Sequence, residues 1–155
     1  AIARLEEGFT VDVITQNIDD LHERAGSTKV LHLHGEVLKA RSTADPALVT
    51  PIIGPSLRLG DRCALGSQLR PHIVWFGEEV PMLQVAADLV SRADRLIVVG
   101  TSLAVYPAAG LLHCAPTSCQ VVLVDPNDVP VRRSGVRHIQ AKASEGLPLL
   151  ASEWM

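Results

Sequence analysis

Two histidines two residues apart, in LHLHGE (residues 31–36), are the first candidates for chemistry in this chain. An imidazole titrates near neutrality and can act as a general base, and a pair at i and i+2 on one strand face can also ligate a metal. A strand histidine is equally an ordinary packed or half-exposed ring. His34 is the better candidate, because Gly35 beside it leaves space for a ligand close to the backbone. A second concentration of polar groups, Thr15, Gln16, Asn17, Asp19 and Asp20, follows the apolar run VDVIT. Amides donate and accept while carboxylates accept, a combination suited to a sugar or a carboxamide rather than a bare phosphate. The same residues also fit a plain helix start, with Asn17 as cap and Asp19 and Asp20 complementing the dipole; the pattern leaves both readings open. In VVGTS (residues 98–102), Gly100 lets a ligand approach the backbone, and Thr101 and Ser102 offer hydroxyls. A dinucleotide fingerprint needs three glycines, and this turn carries one. Asp125, Pro126 and Asn127 form a further polar strand end.

For these groups to meet, the strands that carry them must end side by side. The pattern predicts the end of a helix over residues 1–8, a strand in VDVIT and a short helix in NIDDLHERAG. KVLHLHGEVLKA reads as one second strand, with Val30, His32 and His34 on one face and Leu31 and Leu33 on the other. After residue 40 the texture changes: prolines and glycines cluster at Pro46, Pro51, Gly54 and Pro55, and no period holds, which marks a surface excursion. HIVWFGE returns to strand character, with Trp75 and Phe76 read first as core packing. VPMLQVAADLVSRAD has helical apolar spacing. RLIVVGTS and CQVVLVDPN are buried strands, YPAAGLLHCA a helix and SEGLPLLASEWM a last helix. Continuously apolar strands alternating with helices indicate a parallel sheet covered on both faces, and ligands of such sheets bind outside the carboxyl ends of the strands. The expected fold is therefore α/β. A Rossmann-like sheet with helices on both faces spans residues 1–38 and 70–155, and residues 39–69 form a loop or small subdomain.

Composition narrows the classes. The 155 residues suit one domain, and 47% hydrophobic with 20% charged residues fits an ordinary globular chain. With 3% aromatics, aliphatic packing must dominate. A formal net charge of −3 lacks the basic excess of a nucleic-acid binder, and no apolar run reaches the roughly 20 residues of a membrane span. Cys63, Cys114 and Cys119 have no metal-like spacing, and with no secretory signal they fit a reducing, cytoplasmic compartment.

In this order and wording, TQNIDDLHERAG, LHLHGE, LRPHIVWFGE and VVGTSLAVYPAAGLL resemble the sirtuins, the NAD-dependent protein-lysine deacylases, and most of all their bacterial members. The resemblance covers residues 2–145, with the excursion its weakest part. It implies that Gln16, Asn17, Ile18 and Asp19 line a nicotinamide and ribose pocket, Asn17 positioning the ribose or a water and Asp19 the carboxamide. It implies His34 as general base, Gly100, Thr101 and Ser102 on the phosphates and adenine-side ribose, and Ala143 of KASEG on the adenine. The substrate, an acylated lysine peptide, would add as a strand between two edges, with Val74, Phe76, Gly77 and Glu78 on one and Val105 on the other. Val74 and Phe76 would flank the acyl-lysine. The implied reaction transfers the acyl group to the ribose of NAD, giving nicotinamide, free lysine and 2′-O-acyl-ADP-ribose.

Many sirtuins hold zinc with four cysteines between the histidine strand and VWFGE; here that interval keeps Cys63 alone, and no zinc is expected. The family's Gly-Ala-Gly segment, its flexible cofactor loop and its acyl-selecting residues precede TQN, so the sheet is expected to lack its first strand or strands. A non-catalytic remnant that binds a partner or nucleotide fragment is the alternative function. An unrelated oxidoreductase would need a G-x-G-x-x-G after its first strand, and none is present. Oligomeric state, targets and acyl preference have no sequence signal.

Overall fold

The computed structural model describes residues 1–155. A 3₁₀ helix, Ala3–Glu7, leads through Gly8 to strand β1, Val13–Thr15. Helix α1, Leu21–Arg24, is a single turn, and β2, Val30–His32, returns parallel to β1 with Val13 opposite Val30 and Thr15 opposite His32. Three strands then form an antiparallel sheet in the order β4-β3-β5: β3, Gly35–Ser42, β4, Val49–Pro51, and β5, Leu69–Ile73. Helix α2, Leu83–Val90, precedes a parallel sheet of β6, Arg95–Val99, β7, Gln120–Val124, and β8, Arg137–Ile139, in sequence order. Helix α3, Ala143–Trp154, closes the chain. No helix is long and apolar enough to cross a membrane.

The α/β expectation holds, and β7 explains why. Val122 and Val124 are wholly buried, with Val121 and Leu123 at 2% and 1% exposure. Because strand side chains alternate, this one strand feeds two apolar layers. Val121 packs with Val90 of α2 and with Leu112 and Ala115, while Val122 and Val124 pack with Leu150 of α3. Helices therefore cover both faces. Burying each such aliphatic side chain contributes about 1.5–3 kcal/mol. Gly146 allows the contact on the α3 side, since a Cβ there would lie 2.7 Å from Val124 Cγ1.

The two parallel sheets are not hydrogen-bonded to one another, so β1 and β6 each keep one edge without a strand partner. Side chains link them instead: Ile14 of β1 packs both with the Val90–Val121 cluster and with that of Leu33, Ala86 and Ala108.

Local structure departs from expectation in several places. KVLHLHGEVLKA is two strands in two sheets, because Gly35 at φ +81° turns the chain out of β2 into β3. The excursion carries more pairing than its composition announces, with β4 bound to the far half of β3. Strand β5 begins at Leu69 and ends at Ile73, leaving Trp75 and Phe76 in a turn. The helix expected in YPAAGLLHCA is present at Ala108–Cys114, in 3₁₀ form. Strand β8, RHI, is three residues long and shows no apolar alternation, so no sequence pattern announces it.

Candidate functional site

Residues 16–19 leave β1 and run along the junction of β2 and β3, stitched to it by backbone bonds. The Thr15 carbonyl accepts the Leu33 N–H at 2.9 Å, and the Ile18 carbonyl accepts that of Val37 at 2.7 Å. Buried Thr15 turns the chain outward by accepting the Asn17 N–H at its hydroxyl, at 3.1 Å.

Both histidines grip this segment, with different consequences. His34 Nδ1 lies 3.0 Å from the Gln16 carbonyl. A carbonyl can only accept, so Nδ1 carries the hydrogen, and the neutral ring keeps Nε2 as a lone-pair acceptor. His32 has no such free atom: Nδ1 faces the Asn17 carbonyl at 3.1 Å and Nε2 faces a Glu23 carboxylate oxygen at 2.8 Å. Metal ligation by His32 would break one of these bonds. Burial disfavours the charged His32 ring. The Glu23 hydrogen bond, the Asn17 carbonyl and the charges of Glu23 and Glu36 outweigh it, and the pKa is raised. The same hydrogen bond from His32 holds the Glu23 carboxyl below the usual range.

The helix-start reading of the polar run assigns the wrong cap. Asp19 Oδ1 accepts the Leu21 N–H at 3.1 Å, and Asp20, facing Arg24 at 3.7 Å, makes no side-chain cap bond. Asn17 bonds through its backbone N–H and carbonyl, which leaves its amide group to the solvent side of the segment. Gly35 also has a different purpose from the one read in the sequence. A Cβ there would sit 2.0 Å from the His72 carbonyl oxygen, so the space is filled by β5 and not by a ligand.

The His34 carbonyl accepts the Val74 N–H at 2.9 Å, which joins the histidine to the turn after β5. In that turn Phe76 is fully exposed and Trp75 is 54% exposed, so neither is the core residue expected. Glu78 fastens the turn. Its carboxylate takes Arg70 of β5 at 2.7 and 3.2 Å, Arg41 of β3 at 3.2 Å and the Trp75 N–H at 3.0 Å. The Arg70 bond first, then the Trp75 N–H and the Arg41 charge, lower its pKa to about 2. Gly77, between them, takes φ +86°, and Val105 is half exposed on its own segment.

A second group lies at the carboxyl ends of β6 and β7. The Gly100 N–H bonds to the Val124 carbonyl at 3.3 Å, and the Thr101 hydroxyl accepts the Leu103 N–H at 3.2 Å. Gly100 and Ser102 line a cavity of about 300 Å³ with Asp125, Pro126, Asn127 and Asp128. Buried Asp125 accepts both the backbone and side-chain N–H groups of Asn127, at 2.9 and 3.1 Å. The sequence marked Asp125 and Asn127 as a polar strand end without placing them in the site; their signal was their position after a buried strand. Ala143 lines a separate cavity of about 310 Å³ with His22, Ser27 and Leu147.

The arrangement has a free imidazole nitrogen, an open amide, hydroxyls beside a backbone turn and a polar cavity. These suit a ligand that carries hydroxyls and amide groups.

The Sir2 family model matches residues 1–107. An NAD-dependent protein deacylase of Aggregatibacter actinomycetemcomitans is 55% identical over 126 residues, covering 81% of this chain and 60% of the relative. The crystal structure of a Sir2 homologue–NAD complex superposes with a TM-score of 0.84 at 37% identity, covering 97% of this chain and 61% of that one. A complex of Sir2 with a p53 peptide and NAD⁺ gives 0.78 at 35% identity, covering 98% and 67%. The chain thus spans about 60% of the length of the deacylase it matches. The histidine strand, the polar strap and the glycine turn lie within one matched family sequence and one shared fold, and on that ground the chain belongs to the Sir2 family.

Proposed function

We propose that this chain carries the catalytic histidine and much of the NAD-binding surface of a protein-lysine deacylase that moves acyl groups to the ribose of NAD. The observation that carries this reading is His34. Its Nδ1 is tied to the Gln16 carbonyl, its Nε2 is free, and the tie lies next to the open amide of Asn17.

When bound, the dinucleotide would supply a ribose carbon as acceptor for the acyl oxygen, with nicotinamide as the leaving group. This chain's residues would bind and orient it and move the proton. His34 takes a ribose hydroxyl proton at Nε2, while the Gln16 carbonyl holds the ring in the required tautomer. Gln16, Asn17 and Ile18 line the nicotinamide end, with the Asn17 amide orienting the ribose or a water and the Asp19 carboxylate the carboxamide. Gly100, Thr101 and Ser102, beside the cavity at the end of β7, take the phosphates and adenine-side ribose, and Ala143, at the other cavity, is read as the adenine contact. An acylated peptide lies between the Val74–Glu78 turn and Val105, with Val74 and Phe76 beside the acyl-lysine; the exposure of Phe76 supports a contact with a partner. The Sir2 complex with a p53 peptide supports a peptide substrate.

Residues 1–38 and 70–155 act as the Rossmann-like domain and residues 39–69 as its small appendage. The reading includes independence from zinc, supported by Cys63, whose thiol is engaged by the hydroxyls of Ser42 and Ser67 at 3.2 and 3.1 Å. It also places the protein in the cytoplasm, away from membranes and nucleic acid.

The test is mass spectrometry of the purified protein with NAD and acetyl- and succinyl-lysine peptides. Formation of 2′-O-acyl-ADP-ribose, reduced ~10²-fold or more by His34→Ala, is expected for a general base. Product formed equally well by His34→Ala would remove His34 from the mechanism. No product from a folded chain would favour a non-catalytic binding role.

A further inference from the structure

The carbonyls that the two histidines bind belong to consecutive peptide groups. His34 takes the Gln16 carbonyl and His32 the Asn17 carbonyl, so the planes on either side of the Asn17 Cα are both held. The Thr15 hydroxyl holds the first plane again, through the Asn17 N–H. A peptide group is planar, so fixing the two planes that flank the Asn17 Cα fixes both of its soft dihedrals and the direction of its Cα–Cβ bond. His32 makes the only side-chain bond in this set that reaches outside the strap, to Glu23 of α1 at 2.8 Å. Its own side chain is 8% exposed.

We propose that His32 is a positioning residue: its Nδ1–H holds the Asn17 carbonyl while Glu23 on α1 anchors the ring at Nε2, and the Nδ1 bond directs the Asn17 Cα–Cβ bond and steadies the strap that carries the Gln16 carbonyl. The proposal rests on the reading of Asn17 as a cofactor contact. Both partners of His32 are acceptors, and a neutral imidazole has one N–H, so the imidazolium alone satisfies both. The charged and titratable groups that face the ring are Glu23 on α1 and Glu36 on β3, with His22 beside Glu23. Because the folded-state pKa is raised, the strap is complete below the unfolded value near 6.5 and is lost as pH rises through the folded value.

The experiment is ¹⁵N NMR of the chain, following the His32 ring and the amides of Gln16, Asn17 and Ile18 against pH, with NAD titrated at each pH. The three amides are expected to shift with the His32 midpoint, and NAD affinity to weaken as that midpoint is passed. His32→Asn can still donate near Nδ1 toward the Asn17 carbonyl, whereas His32→Gln can donate near Nε2 toward Glu23. His32→Asn is therefore expected to retain the Asn17 shifts and NAD affinity with a flattened pH profile. His32→Gln is expected to lose ~2–10-fold in affinity, the equivalent of one neutral hydrogen bond. Glu23→Gln should move the midpoint to lower pH in an otherwise native spectrum. The proposal is overturned if His32 titrates without moving those amides, or if the two His32 variants, folded by their spectra, behave alike. Coupled amides in a chain that binds no NAD would support the positioning role and overturn the cofactor reading instead.

Discussion

Glu78 shows how much one carboxylate can organise. It joins β3 and β5 through Arg41 and Arg70 and holds the Trp75 N–H, so the turn carrying Phe76 has a fixed base and an exposed tip. Its folded-state pKa is lowered to about 2. The stabilisation is present above the ordinary carboxylate range and is lost as pH falls through about 2. Trp75 fluorescence should therefore stay native down to about pH 3 and change below it. Glu78→Gln, which keeps an acceptor but loses the charge, should show the altered Trp75 environment at neutral pH and weaken acyl-peptide binding. A native Trp75 signal in that variant at neutral pH would show that the turn stands without the ion pairs.

Among the elements, the β2–β3 junction decides the site. Gly35 takes a left-handed φ and lies under the His72 carbonyl, so the chain can leave one sheet at His32 and enter another at once. That abrupt change puts His34 between them, with its ring on the strap and its carbonyl on Val74. Gly35→Ala meets two obstacles. The left-handed conformation alone is worth roughly 1–2 kcal/mol, and the 2.0 Å approach forces β3 and β5 apart. We expect a loss of ~2 kcal/mol or more in urea denaturation, with loss of NAD binding. Gly8→Ala is the control: no atom lies within 4 Å of its Cβ, and the change should stay within about ±0.5 kcal/mol. Equal midpoints for the two variants would show that β5 yields easily.

At the scale of the whole molecule, the core is held by side chains across a break in the sheet. Strands β1 and β6 each present an edge without a strand partner, and Ile53 and Leu59 are almost fully exposed in the loop between β4 and β5. Unpaired edges recruit strands from other chains. Light scattering of the 155-residue chain should show an apparent mass that rises with concentration, and the outward amides of β1 and β6 should exchange rapidly in dilute solution. A monomer at every concentration with those amides protected would mean that the edges are closed by other contacts.

The sequence by itself determined the buried strands, the polar groups at their ends and the family resemblance, because apolar runs, turn residues and motif order are local properties of the chain. It also singled out His34 and the Gln16–Asp19 segment. The tertiary structure decided what each group does there. His34 finds its carbonyl 18 residues away, and His32 finds its own at 15 and its carboxylate at 9. Such partners lie on other elements, and no period or spacing encodes them. Hence the two histidines of LHLHGE, which the alternation puts on one strand face, separate into a ring with a free nitrogen and a ring with none. Gly35, read as space for a ligand, is filled by a neighbouring strand. Packing chooses hydrogen-bond partners by proximity in space, and that proximity exists only once β1, β2, β3 and α1 have been brought together.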